Sequence, residues 1–243
     1  MPKKKKLIPY SYEFDSLVDE LTEGYGDSLG YPRGKNKYVG VELEFLLPTN
    51  MEGRNLAAAF IEEGITKGVE IKGDGSINGN GVEVCLLAKQ SEISGHVKKV
   101  CKALKKIGCK VNKSCGLHVH LDMRNRDKRK SFKALVEELP ELTKMVDKSR
   151  LKNTYCQINK TKELDKIMEV NSGSMYNPTT DRYEYPRVQC ESFETNRYLA
   201  INPWSLDEHN TIEVRLHEGT IDDKKINSWI KKLVETVEKA TLS

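Results

Sequence analysis

The sequence predicts an α+β fold, a curved antiparallel or mixed sheet backed by helices. Three observations carry this prediction. Several short segments alternate apolar and polar residues with the period of two expected of strands. Three longer segments repeat apolar residues every three or four positions, as helices with one buried face do. Strands and helices also follow one another singly, with one hairpin among them, which suits an antiparallel or mixed sheet.

Residues 1–36 are polar with Tyr, Gly and Pro and read as a loosely structured lead-in to a single domain over 37–243. The first strong signal is Tyr38–Leu47, where Val39, Val41, Leu43, Phe45 and Leu47 alternate with Gly40, Glu42, Glu44 and Leu46. A short helix follows at Ala57–Glu63, ended near Gly64. Val69–Lys72 and Val82–Leu87 make a hairpin across the turn-rich stretch Gly73–Gly81. Ser91–Ile107 reads as a helix with Ile93, Val97, Val100, Cys101 and Leu104 on one face and Gly108 as its stop. Gly116–Met123 is a strand. Asp127–Arg150 holds one or two helices, with Pro140 placed to restart the second. Residues 151–195 are the least regular part, an insertion read as a possible substrate loop, with one helix at Lys162–Val170. Strands at Arg197–Pro203 and Thr211–His217 precede a last helix, Asp223–Lys239, with Ile226, Ile230, Leu233 and Val237 in register.

The composition, 37% hydrophobic and 31% charged, belongs to an ordinary globular chain. No segment approaches the roughly 18 apolar residues that cross a bilayer, and Met1–Lys6 lacks the apolar core of a signal peptide. A cytoplasmic location is therefore expected. Six cysteines form no Cys-x-x-Cys pair and read as free thiols. The basic runs Lys3–Lys6 and Arg124–Lys133 carry no interleaved aromatics, so a nucleic-acid platform is not indicated.

Four strands share one peculiarity: their apolar residues face one way and chemistry-bearing groups face the other. Glu42 and Glu44 leave one side about 7 Å apart. Glu83 alternates against Val82 and Val84. His118 and His120 lie opposite Leu117, Val119 and Leu121, while Glu213, Arg215 and His217 lie opposite Ile212, Val214 and Leu216. A merely solvated face usually carries Lys, Thr, Ser and Gln with mixed signs. Clustered carboxylates repel unless a cation neutralises them, so Mg²⁺ or Mn²⁺ is indicated, with Zn²⁺ also compatible with imidazole. Arginine beside such ions suits a phosphate. There is no Gly-x-x-x-x-Gly-Lys-Ser, which excludes a P-loop by pattern. The helices argue against a cupin-like barrel around His118 and His120.

Four motifs occur in order: Gly40-Val-Glu-Leu-Glu-Phe; Gly73-Asp-Gly-Ser with Val82-Glu-Val; Ser114-Cys-Gly-Leu-His-Val-His; and Thr211-Ile-Glu-Val-Arg-Leu-His-Glu-Gly-Thr. Over roughly residues 38–235 the chain resembles the amidoligase family, relatives of glutamine synthetase and glutamate–cysteine ligase in the carboxylate–amine ligase superfamily. The resemblance implies a catalytic domain whose sheet cups ATP and divalent cations, and an amide or isopeptide bond made through an acyl phosphate. It implies Glu42, Glu44, Glu83 and Glu213 as metal ligands, with His118 or His120 beside them and Asp74 nearby. It further implies Arg215 as the phosphate contact, Arg197 and Asn202 as phosphate or substrate contacts, and Glu218 or His217 as the proton acceptor. The implied partners are ATP, a carboxylate and an amine, the last two being amino acids, peptides or protein side chains. Three rivals stay open: a phosphotransferase of guanidino-kinase type, a non-catalytic descendant that binds nucleotide or protein, and a mononuclear hydrolase built on His118 and His120.

Overall fold

The computed structural model describes residues 16, 18–19, 21–22, 36–159, 175–177, 182–184 and 198–242. Six strands form one sheet: β1 (Tyr38–Leu46), β2 (Val69–Gly73), β3 (Gly81–Lys89), β4 (Gly116–Asp122), β7 (Ile201–Asn202) and β8 (Thr211–Glu218). Their order is β2-β3-β1-β4-β8-β7 and every pairing is antiparallel. A separate two-stranded ribbon pairs β5 (Met175–Asn177) with β6 (Arg182–Glu184). The helices are α1 (Gly53–Glu62), α2 (Ile93–Ile107), α3 (Lys128–Glu137), the short α4 (Leu139–Leu142), α5 (Ser205–His209) and α6 (Asp223–Leu242), with a 3₁₀ turn at Arg150–Lys152. The α+β layout expected from the sequence is the one observed, with the sheet wholly antiparallel rather than mixed.

Alternation along β1 decides which side of the sheet is dry. Val39, Val41, Leu43 and Phe45 are each at most 1% exposed and join one apolar core with Val84, Leu117, Val119, Ile212 and Val214. That core is closed by α2, through Ile93, Val97, Val100, Cys101 and Leu104, and by α6, through Ile226, Trp229, Ile230, Leu233 and Val237. Truncating a fully buried aromatic such as Phe45 or Trp229 to Ala would cost about 3–5 kcal/mol. Gly108 ends α2 with a φ of 88°, the left-handed conformation that a residue without Cβ reaches most easily. Asp127 caps α3 by accepting from Lys130 N at 2.9 Å, and Pro140 sits in the first turn of α4.

Several expectations shift. The helix expected at Ala57–Glu63 begins at Gly53, because Glu52 and Asn55 form a reciprocal capping box ahead of the apolar residues. The strand expected over Arg197–Pro203 is paired at Ile201–Asn202, with one isolated bridge from Leu199 to Gln157. Within the lead-in, residues 16, 18, 19, 21 and 22 are helical, and Val18 and Leu21 are buried in the main core. Those described residues belong to the packed fold. The helix expected at Lys162–Val170, residues Lys3–Lys6 and Arg197 lie outside the described residues. The five described cysteines are free thiols. Among the described residues, no helix is long and apolar enough to cross a membrane.

Candidate active site

The sheet order makes the four chemistry-bearing strands neighbours, β3-β1-β4-β8, so their polar faces form one surface. In register, Glu44 stands opposite Glu83, Glu42 lies between Cys85 and His118, and His120 pairs with Glu213, which in turn pairs with Asn202. Strand β2 extends the row, with Lys72 opposite Glu83 and Glu70 opposite Cys85.

Glu42 is the hub. Its Oε2 lies 2.8 Å from His118 Nδ1 and its Oε1 lies 3.0 Å from His120 Nε2. Burial would raise its pKa, but the His120 charge and the bonds from both imidazoles hold its carboxyl well below the usual range. The reciprocal effect appears at His120. Burial there opposes a charge, yet Glu42, with Glu213 behind it, raises the imidazole to about 9. Thr211 fixes that ring from its other side, Oγ1 to Nδ1 at 3.0 Å. His118 reaches two further carboxylates, Glu44 and Glu213, each at 3.5 Å. Glu44 accepts from the Gly116 backbone N–H at 2.6 Å. A Cβ at Gly116 would stand 2.9 Å from His118 Nε2 and 3.4 Å from Glu44 Oε2, so this close approach requires glycine.

Glu83 shows what the crowding does without a cation. Burial, and then the neighbouring Glu42 charge, push its carboxyl up to about 7, and the Cys85 thiol donates to it at 3.1 Å. Donor atoms from Glu42, His120 and Glu213 lie within 4.8 Å of one another, as do those from Glu44, Asp74 and Glu83. Two adjacent groups of oxygen donors, one with an imidazole, fit divalent cations of the Mg²⁺ or Mn²⁺ kind. A third group, Glu42, Glu83 and Cys85, overlaps both.

Arg215 shares this face. It is ion-paired with Glu213 and donates from Nε to Tyr155 O at 3.3 Å. Burial disfavours its charge, but Glu213 and Glu42 outweigh that and raise its pKa. Its position depends on an irregularity in β8: pairing with β4 runs from Val214–Val119 to His217–Leu117, leaving Arg215 and Leu216 both opposite His118. The buried Arg150 guanidinium meets the carbonyls that the bulge leaves unpaired with β4, donating to Arg215 O at 2.9 Å and Leu216 O at 3.4 Å.

The bulge corrects one expectation. His217 does not share the face of Glu213 and Arg215, because the extra residue turns it to the helix side. There it is 3% exposed, its ring centroid 5.1 Å from that of Trp229, and burial lowers its pKa. Glu218 sits at the strand's end, where its carboxylate accepts from Asp147 N at 2.9 Å, with Lys225 Nζ 3.9 Å away. Asn202 is 3% exposed. Its Nδ2 donates to Glu213 at 2.7 Å and its Oδ1 accepts from Trp204 N, so both ends of its amide are engaged within the protein. The sequence reading passed over Thr211, Cys85, Arg150 and the β2 pair Glu70 and Lys72. The Val69-Glu-Ile-Lys alternation could have revealed that pair; nothing local marks Arg150, which acts across more than sixty positions of chain.

Fold and face together define a class: an α+β protein with an antiparallel sheet that is apolar toward its helices and acidic, with imidazole and guanidinium, on the other side. The family is narrower. A family model described as "Putative amidoligase enzyme" matches residues 84–236, and the chain belongs to that family. Among curated proteins none matches the chain by sequence. Among solved structures, the chain is similar to a glutamine synthetase of Plasmodium falciparum, with 8% identity and a TM-score of 0.41 over 93% of this chain and 55% of that one. It thus spans about half the length of that synthetase.

Proposed function

We propose that the chain is an ATP-dependent carboxylate–amine ligase. The observation that carries this reading is the pair of adjacent three-donor groups, Glu42/His120/Glu213 and Glu44/Asp74/Glu83, on the face that also holds Arg215. Family membership supplies the reaction class.

Glu42, His120 and Glu213, and beside them Glu44, Asp74 and Glu83, would hold Mg²⁺ or Mn²⁺, which would screen the charge of the nucleotide's phosphate oxygens. Arg215, kept cationic by Glu213 and Glu42, stabilises the transferring phosphoryl group. The γ-phosphorus gains a bond to a substrate carboxylate oxygen and loses its bond to the β-phosphate bridge, leaving ADP and an acyl phosphate. An amine then attacks the acyl carbon, the carbon–oxygen bond to phosphate breaks, and the nitrogen's proton passes to the departing phosphate as the amide forms. Asn202 and Thr211 hold Glu213 and His120 in place during these steps. The face of His217 weighs against a part for it in that proton transfer.

The test is ATP turnover by the full chain with Mg²⁺ or Mn²⁺ and pooled carboxylates and amines, read by mass spectrometry. Joined products lighter by one water, with ADP and phosphate released, are the expected result. A phosphorylated guanidine with no amide, or no metal-dependent ATP binding by calorimetry, would overturn the proposal.

A further inference from the structure

At the β2 side of the sheet the polar face dips into a cavity of about 110 Å³ that adjoins the carboxylate–imidazole cluster and shares Glu42, Cys85 and His120 with it. Its lining includes Gly40, Glu42, Glu70, Lys72, Leu87 and His209. The hollow has a local cause. Gly40 is the polar-face residue of β1 that stands between Leu87 on β3 and His120 on β4, and it carries no side chain. A glycine inside a strand often marks where something else approaches the backbone. For size, a cavity of about 150 Å³ admits benzene, so this one suits a ligand of a few heavy atoms and is far too small for a nucleotide.

Its lining sets two carboxylates, Glu42 and Glu70, against Lys72 and His120 on a partly apolar wall. The Glu70 side chain is 12% exposed, and its Oε2 is fully buried with no aligned hydrogen bond among the described residues, although Lys72 Nζ stands 2.9 Å away. Lys72 lies nearer solvent, with 43% of its side chain exposed. Glu42, bonded to His118 and His120, is the other carboxylate of the lining, and Leu87 belongs to its apolar part. With Glu42 engaged by the two imidazoles, it is the Glu70 oxygen without an aligned donor that favours a positive head group with N–H donors. Glu70 and Lys72 lie ahead of the stretch matched by the family model, residues 84–236.

We infer that this cavity is the acceptor pocket: it takes the primary ammonium group of the amine substrate, held by Glu70 and carried on a short apolar stem along Leu87. The inference rests on the ligase reading for the word substrate, but not for the binding itself. In it Lys72 is the internal counter-ion that an arriving ammonium replaces at Glu70.

The experiment is binding by the full chain at fixed Mg²⁺ without nucleotide, followed by ¹H–¹⁵N NMR. The probes are ethylammonium and n-butylammonium, against ethanol, n-butanol and butyrate as size-matched controls, and a short lysine-containing peptide to tell a free amine from a protein side chain. Ammonium probes should shift the amides of residues 86, 87 and 209, and the alcohols and butyrate should not. Glu70→Gln should weaken ammonium binding about tenfold or more, whereas Lys72→Met should tighten it by removing the competitor. Matching melting curves would show that both variants fold. Equal binding by the alcohols, binding of butyrate that Lys72→Met abolishes, shifts confined to other residues, or an unaltered Glu70→Gln would each overturn the inference. The two readings fail separately. Ammonium binding in the pocket without ATP-dependent amide formation would end the ligase reading alone. Amide formation whose amine KM is unmoved by Glu70→Gln would end the pocket alone.

Discussion

Replacing Arg150 by Met tests whether one buried guanidinium holds the β8 bulge, and so the direction of Arg215. The side chain makes a well-placed bond to Arg215 O at 2.9 Å and a longer one to Leu216 O at 3.4 Å. A hydrogen bond from a charged donor contributes about 1.5–3 kcal/mol, and a buried acceptor left without a donor costs about 1–3 kcal/mol. The second bond is at the limit of range and counts for less. Losing a buried charge returns part of its desolvation cost, so the net loss should be about 2–4 kcal/mol. For a chain of this size that lowers Tm by roughly 5–12 °C. Methionine fills the volume, so little of the loss should come from a cavity. Binding should suffer beyond stability. Without a donor for the bulge carbonyls, β8 can shift register and carry Arg215 off the polar face, so Mn²⁺-ATP binding should weaken even where the variant is fully folded. The measurements are denaturant unfolding and calorimetry with Mn²⁺ and ATP at a temperature well below Tm. A variant that loses stability but binds metal-nucleotide like the parent would refute the coupling between bulge and site. One that loses neither would refute the role of Arg150 altogether.

Glu42→Gln removes the anion that both imidazoles contact. It should weaken Mn²⁺ binding on the order of tenfold or more by calorimetry, and histidine titrations should show His120 losing the rise that takes it to about 9. The metal-free protein should lose stability as pH rises. His120 and Glu83 both bind a proton more tightly folded, near 9 and near 7, than unfolded, at about 6.5 and about 4.3. The His120 contribution is therefore complete below about pH 6.5 and gone above about 9, and that of Glu83 is gone above about 7. Saturating Mn²⁺ should abolish this decline, with proton release on binding measurable in buffers of different ionisation enthalpy; a Tm that rises with pH in chelator would contradict the assigned partners. Finally, His217→Leu should change Mn²⁺-ATP affinity by less than about twofold while altering Tm, since its ring faces Trp229. Loss of binding in a folded His217→Leu would return His217 to the site.

What could be read from the residues alone divides along a physical line. Period-two alternation names the polar side of each strand, so Glu42, Glu44, Glu83, His118, His120 and Glu213 could be placed together before any pairing was known. Alternation fails where pairing inserts a residue. Nothing within Thr211–Glu218 shows that Arg215 and Leu216 both oppose His118, so strict alternation puts His217 on the wrong face. Distance in sequence defeats the reading in a second way. Arg150 and Thr211 reach the polar face from segments with no pattern of their own, and the bond from Asn202 to Glu213 joins two strands whose pairing no local pattern announces. Helix ends went wrong for a third reason, since capping at Glu52 and Asn55 begins α1 before its apolar residues do.

The two glutamates of β1 also guard the assembly of the sheet. A slip of one residue against β3 or β4 would turn Glu42 and Glu44 into the apolar layer under α2 and α6 and bring Val41, Leu43 and Phe45 out to water. Burying two unpaired carboxylates costs several kcal/mol each, so the misaligned strand is rejected as the chain folds. In this central strand the residues offered to a cation proofread the pairing long before any cation arrives.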